Sequence, residues 1–319
     1  FREASNTVPI IGRAWDLMKM KKRLTEKISG SLMQEDAPMA KFTSFRAGGC
    51  ADLLVQPQNI KELQDVLQVL QEEGCPHMVL GNGSNVLVKD GGYRGVIVKL
   101  GSGFDHVVVE GNVIRCGSGA LLSAVAKAAA DAGLTGMECL SGIPGSIGGA
   151  VFMNAGAYGG EIKDVLRKVS VISQDGAHLS ALDPGSLDLG YRHSILQQTG
   201  DIVLEAEFML QPGNETEIKE KMAELKARRN EKQPVNYPSA GSFFKRPEGY
   251  FAGKLVQDAD LKGVSVGGAE VSQLHSGFLI NKGGATATDI IQLMRIVQAA
   301  VMERFGVMLE PEVRIIGEE

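Results

Sequence analysis

The chain is poor in the residues that would build several common kinds of site. Its 319 residues include only 4 cysteines and 5 histidines. Cys50, Cys75, Cys116 and Cys139 stand alone without a C-x-x-C pair, so neither a zinc centre nor a disulfide framework is indicated, and reduced thiols are expected. Aromatic residues make up 5% and the formal net charge is −5, which argues against nucleic acid as a partner. No apolar run approaches the ~18–20 residues of a membrane span, and no signal-peptide core stands near the first residue, so no membrane partner and a cytoplasmic location are expected. Two catalytic signatures are missing as well. The G-x-S-x-G elbow of hydrolases is absent, and the Rossmann pattern fails at Val86 after Gly81 and Gly83, and at Leu122 after Gly117 and Gly119.

Glycine, by contrast, is abundant and locally concentrated. Ser141 to Gly160, SGIPGSIGGAVFMNAGAYGG, holds seven glycines in twenty residues and no charged side chain. Such a belt is too costly for a stable helix and too interrupted for a regular strand. Missing Cβ atoms let the main chain lie close against a flat or anionic ligand; a ligand-free surface loop is the alternative. A second segment, LGNGSNVL from Leu80 to Leu87, reads as strand, turn, strand. Its Gly81, Asn82, Gly83, Ser84 and Asn85 would gather amides and short polar groups into a nest for phosphate or pyrophosphate, although Asn-Gly also marks an ordinary hairpin turn.

The remaining pattern gives an α+β protein. A helix is expected over about Asp16 to Ile28, then a strand at Cys50–Gln56 and a helix from Asn59 to Glu73 with Ile60, Leu63, Leu67 and Leu70 on one stripe. Strands follow at residues 95–100 and 107–116, and an alanine-rich helix at 120–132 ends at Gly133. Beyond the belt come strands at 165–173, 177–182 and 201–210, a charged helix at 215–231, a capped helix from Thr286 and a final strand at 307–316. The expected division is a helical lead at 1–40, with a flexible first dozen residues, a two-lobed unit at 41–212 (lobes 41–100 and 101–212), and a smaller α+β unit at 213–319.

Three short segments are left that patterning does not explain: YRHS with Arg192, PSAGSFFKRP with Ser242, and LEPEVRIIG with Glu312 on an apolar strand. Basic residues for an anionic substrate cluster in the C-terminal third, among them Arg246, Lys254, Lys262 and His275. Together with SFRAGGCADLLVQP, LGNGSNVLV, the long glycine belt and LKGVSVGGAEVSQLHSGFLIN, in that order, these segments resemble the UDP-N-acetylenolpyruvoylglucosamine reductases (UDP-N-acetylmuramate dehydrogenases), flavoenzymes of bacterial peptidoglycan precursor synthesis. The resemblance spans Thr43 to Gly317.

It implies a two-lobed FAD-binding domain of the vanillyl-alcohol-oxidase type followed by a substrate domain, with FAD and NADPH as cofactors and a UDP-sugar enolpyruvyl ether as substrate. It also implies site residues. Arg46, Ala47, Gly48, Gly49 and Gly81 to Asn85 would line the pyrophosphate region. Ser141, Gly142, Pro144, Gly145, Ser146, Gly148 and Gly149 would back the flavin. Ser242 would be the proton donor, with Arg192 and Glu312 as the other two catalytic groups; Glu312 is preferred to Glu310 because the family's acid directly precedes the V-R segment. Arg246, Lys254, Lys262, His275 and Asn281 would meet the substrate. Arg246 stands where some relatives carry Asn, and the span between Arg192 and Ser242 fits the shorter class that lacks an inserted tyrosine-bearing loop. Two competing readings stay open here: a flavin-dependent oxidase of the same fold acting on an alcohol or sugar, and a non-catalytic nucleotide-sugar-binding protein.

Overall fold

A computed structural model describes residues 15–319, and the dozen first residues expected to be flexible lie outside them. Asp16 caps the helix Leu17–Thr25 through its carboxylate, which accepts from the amides of Met18 and Lys19. This helix packs on a second one, Ile60–Glu72, capped by Asn59. Both cover one face of a four-stranded sheet ordered Met33–Pro38, Cys50–Val55, Tyr93–Lys99, His77–Leu80. The first pair is antiparallel and the next two are parallel. Residues 33–38 therefore belong to the first lobe and not to a separate lead. His77–Leu80 is an edge strand.

The second lobe is a five-stranded antiparallel sheet ordered Leu179–Leu182, Leu166–Ile172, Ile202–Met209, Val113–Gly117, Val107–Glu110. Helix Leu122–Asp131 covers it with Val125, Ala126 and Ala129 buried. Ile172, Ile202 and Leu204 of this sheet are buried in the first lobe's core. The lobes thus share apolar surface and leave a groove between them.

The third unit is a three-stranded antiparallel sheet, Ser265–Val266, Ala269–Val271 and Leu279–Asn281, backed by the helix Ala287–Phe305. Thr286 and Asp289 form the expected capping box at its start. Three expectations shift. The charged helix Glu215–Lys232 packs on the second lobe, against the helix Leu122–Asp131 and residues 134–140, so we place the break after it. The final strand shrinks to Arg314–Ile316, which pairs in parallel with Val86–Val88 of the first lobe, while residues 310–312 turn to a different neighbour around Phe244. Residues Ile147–Phe152 of the glycine belt form a short helix after all, since Ile147, Ala150 and Val151 bury one face and offset the cost of two glycines.

Candidate active site

The two glycine segments meet. Ser84 Oγ donates to the Pro144 carbonyl at 3.1 Å, and a Cβ on Gly81 would lie 2.1 Å from Ser146 Oγ. A larger residue at 81 would have to displace the Ser146 hydroxyl. Gly83 adopts φ +64°, and a Cβ there would meet the Phe42 carbonyl at 2.0 Å, so glycine is required on both counts. Between the segments runs a cavity of about 340 Å³, walled by Gly81 to Val86, Pro144 to Ser146, Gly148 and Gly149, with Phe152 and Arg314 toward the third unit and Gln174 and residues 200–203 on the second lobe.

The loop 81–85 is a nest with its carbonyls drawn away. Lys99 Nζ donates to the Gly81 carbonyl, the Ser44 amide to Gly83, and the Arg314 amide to Asn85. Burial lowers the Lys99 ammonium below its usual range. Among the described residues no carbonyl accepts from the amides of Asn82, Gly83 or Ser84, which leaves them for an anion. Two further cavity-lining residues hold buried polar atoms with no partner, Ser118 Oγ and His77 Nε2. A dinucleotide cofactor such as FAD suits this set: unpaired amides for a pyrophosphate and apolar walls for flat rings.

Of the cofactor residues expected from sequence, Gly81 to Asn85, Pro144, Gly145, Ser146, Gly148 and Gly149 line this cavity. Arg46, Ala47, Gly48, Gly49, Ser141 and Gly142 do not. Ala47 is buried in the third unit's core, and Gly48 and Gly49 back onto the carbonyls of Val88 and Asp90, so they seat the strand behind the nest. Ser141 Oγ is spent on the Glu138 carbonyl at 2.7 Å, and Gly142 lies against Arg229. The amides of Ile147 and Gly148 are likewise taken, by Ala120 and Ser118 carbonyls. Among the described residues no carbonyl accepts from the amides of Gly145, Ser146 or Gly149, so the belt is a wall that also offers donors.

A second cavity, of about 450 Å³, adjoins the third unit. Arg192, Ser242, Glu312, Arg246, Lys254 and His275 line it. Local backbone explains the convergence of residues so far apart in sequence. Gly190 and His193 exchange main-chain hydrogen bonds, putting Tyr191 and Arg192 at the tip of a tight turn, and the buried Asn154 side chain donates to the Gly190 carbonyl at 2.9 Å. Arg192 sits at φ +53°, a strained conformation for a residue with a side chain. Segments 242–245 and 310–312 pair through Glu312 N–H to Phe243 O, Lys245 N–H to Glu310 O and a Phe244–Pro311 bridge, which sets Ser242 beside Glu312.

Arg192 Nε donates to Glu312 Oε1 at 2.7 Å, with both side chains largely buried. Burial pushes the Glu312 carboxyl above the usual carboxylate range, opposed by the pull of Arg192 and Lys245. Asn85 Nδ2 donates to the Glu312 carbonyl at 3.1 Å, so the nest and the acid move as one piece. Burial lowers the His275 imidazole from its usual range, and its Nδ1 accepts from the Gly277 amide at 3.1 Å. The neutral ring therefore carries its hydrogen on Nε2.

Two expected substrate residues are not in this cavity. Lys262 is not among its lining residues. Asn281 is buried and fully engaged: Nδ2 donates to the Phe45 carbonyl, and Oδ1 accepts from the amides of Gly283 and Ala285. It ties the third unit to the first lobe. Sequence reasoning passed over Arg314, stacked on Phe152 with 5.0 Å to the ring centroid, and Tyr191, whose hydroxyl accepts from the Arg246 amide at 3.1 Å. Tyr191 had a signal, lying next to Arg192; Arg314 had only its place after Val313 on the final strand.

The architecture and both cavities have counterparts. Residues 51–181 match the model of an FAD binding domain, and residues 233–316 that of the UDP-N-acetylenolpyruvoylglucosamine reductase C-terminal domain. The UDP-N-acetylenolpyruvoylglucosamine reductase of Agathobacter rectalis is 50% identical over 309 residues, covering 93% of this chain and 98% of its own. That of Clostridioides difficile is 48% identical over 284 residues, covering 89% and 93%. The crystal structure of the reductase from Thermus caldophilus superposes with a TM-score of 0.77 at 37% identity, covering 89% of this chain and 99% of the other. The expected two-lobed FAD-binding domain with a following substrate domain thus stands, and the chain belongs to the UDP-N-acetylenolpyruvoylglucosamine reductase family, an FAD-containing oxidoreductase family.

Proposed function

We propose that the chain catalyses the NADPH-dependent, FAD-mediated reduction of the enolpyruvyl ether of UDP-N-acetylglucosamine to UDP-N-acetylmuramate, with Arg192, Ser242 and Glu312 as its catalytic residues. The observation that carries this reading is the gathering of those three side chains, contributed by segments 50 and 70 residues apart, around one cavity next to the glycine-walled one. FAD held in the cavity walled by Gly81 to Asn85, Pro144 to Ser146, Gly148 and Gly149 would supply the hydride chemistry that links NADPH to the enolpyruvyl double bond.

As hydride arrives, negative charge develops on the substrate carboxylate. Arg192 meets it with a cationic fork that the 2.7 Å contact to Glu312 holds in place, so the stabilisation is set before the charge appears. Glu312, with its carboxyl held above the usual range, is suited to share a proton with the same oxygens. Ser242 is exposed at the cavity and gives its proton to the adjacent carbon as general acid. Arg246, Lys254 and the Nε2–H of His275 line the same cavity and suit the diphosphate; Lys262 and Asn281 are left out of this set. Among the described residues no helix is long and apolar enough to cross a membrane. NADPH and a nucleotide sugar fit a cytoplasmic setting.

The test is anaerobic. NADPH should bleach the yellow flavoprotein, and the enolpyruvyl sugar nucleotide should restore the colour. Colour restored only by oxygen would favour the oxidase reading, and nucleotide-sugar binding without flavin the non-catalytic one.

A further inference from the structure

We propose that Gln197, an exposed residue that lines neither cavity, is a positioning residue that fixes Arg192 to the wall of the cofactor cavity. The inference deepens the proposed function and rests on Arg192 meeting the substrate carboxylate.

Arg192 occupies a place in the chain that a large side chain does not favour. It is the second central residue of the turn closed by Gly190 and His193, and its φ of +53° is a conformation that glycine or asparagine takes there. Such a conformation persists only where the surroundings over-determine it. The peptide that follows Arg192 is held at both ends. Its N–H, from His193, donates to the Gly190 carbonyl at 3.2 Å, and its carbonyl accepts from Gln197 Nε2 at 3.0 Å. Among the described residues no main-chain amide reaches the Arg192 carbonyl. Gln197 supplies that contact.

The same nitrogen donates to the Phe152 carbonyl at 3.1 Å. Both neighbours are carbonyls, which only accept, so the amide can point one way and each of its two hydrogens has a partner. Phe152 ends the belt helix Ile147–Phe152, whose last carbonyls find no acceptance within the helix. The buried Ser194 hydroxyl donates to that carbonyl too, at 2.7 Å. Gly148, Gly149 and Phe152 of this helix line the cofactor cavity, so one side-chain amide joins the cavity wall to the main chain of Arg192. The guanidinium is held separately, by Glu312 through Nε at 2.7 Å and by the Gly156 carbonyl through Nη2 at 3.3 Å. Anchored at its base by Gln197 and at its tip by Glu312, the fork keeps a fixed aim relative to the wall against which the reacting ring lies.

The test separates the two half-reactions. Gln197 is exposed, so substituting it leaves the core intact. Gln197→Leu removes both donors at similar size. Flavin content and reduction by NADPH should stay within about threefold of the parent, while reoxidation by saturating enolpyruvyl sugar nucleotide should slow about ten- to a hundredfold, the cost of a misaimed group. Gln197→Lys still offers hydrogens to both carbonyls and should restore that rate to within about threefold. In an Arg192→Ala background, Gln197→Leu should change the residual single-turnover rate less than about twofold, because the guanidinium it positions is gone. The same loss in both backgrounds, or a Gln197→Leu chain that reoxidises at the parent rate, would overturn the proposal. Equal slowing of both half-reactions would make Gln197 a structural residue and overturn it as well. A parent chain that the substrate does not reoxidise would refute the function on which the proposal rests, a different failure from indifference to position 197.

Discussion

The two cavities are neighbours of similar size, yet they are built on opposite principles. The one between the lobes is walled mainly by backbone and apolar side chains, and its polarity comes from unpaired amides. The one at the third unit is walled by the charged and polar ends of Tyr191, Arg192, Arg246, Lys254, His275 and Glu312. A cofactor that stays bound can be held by shape, and shape is set by where a Cβ cannot go. A substrate that must leave each turnover is better met by charges. Glycine changes should therefore damage occupancy of the first cavity, and side-chain changes should damage rate in the second.

The largest effect expected within that contrast is on Ser242→Ala. Its hydroxyl has no structural hydrogen bond among the described residues, so flavin content and reduction by NADPH should stay near normal. Reoxidation by the enolpyruvyl substrate should slow about a hundredfold to ten-thousandfold. Stopped-flow traces in which both half-reactions slow together would blur the division between the cavities and remove Ser242 as the acid.

The reverse case is Gly83→Ala. Its φ of +64° and the Phe42 carbonyl 2.0 Å from a built Cβ mean that the nest itself must shift. FAD affinity should fall about tenfold or more, while the variant that does retain flavin should reoxidise at close to the normal rate. Rate loss at full occupancy would show that the nest also serves the chemistry, through the Asn85 to Glu312 hydrogen bond.

How legible each cavity was in the sequence follows from the same difference. Backbone sites are written locally: Gly81, Gly83 and the 141–160 belt stand out by their glycine density, and most of the expected cofactor residues do line the cavity. Yet composition alone could not tell the glycines that face the cavity from Gly48 and Gly49, which back onto Val88 and Asp90. Side-chain sites are written at a distance. Nothing local about Arg192 or Glu312 marks them as partners; the turn at 190–193, the anchoring Asn154 and the pairing of 242–245 with 310–312 make them so. Asn281 shows the cost of that: a polar residue in an apolar strand resembles a ligand until its three hydrogen bonds are seen to close within the protein. The alternation of core residues made helices and sheets readable, whereas the strand shortened to Arg314–Ile316 depended on a partner from the first lobe.

The finest effect lies inside the second cavity and concerns pH. Burial raises the Glu312 carboxyl and Arg192 opposes it, so the protonated form persists above the pH at which a free glutamic acid would have ionised. If that proton helps to neutralise the developing enolate, the reoxidation rate is highest below the raised value and falls as pH climbs through it. For stability the sign is the same: a carboxyl whose value is raised by folding favours the folded chain at low pH, and that contribution is lost as pH rises through the folded value. Glu312→Gln keeps the shape and a donor for the same oxygens but cannot ionise. Its reoxidation rate should lie within about tenfold of the parent at low pH, and the alkaline fall in the pH–rate profile should be gone. If the fall survives in Glu312→Gln, the titrating group is another residue of the cavity, and Glu312 acts only to hold Arg192 on its turn.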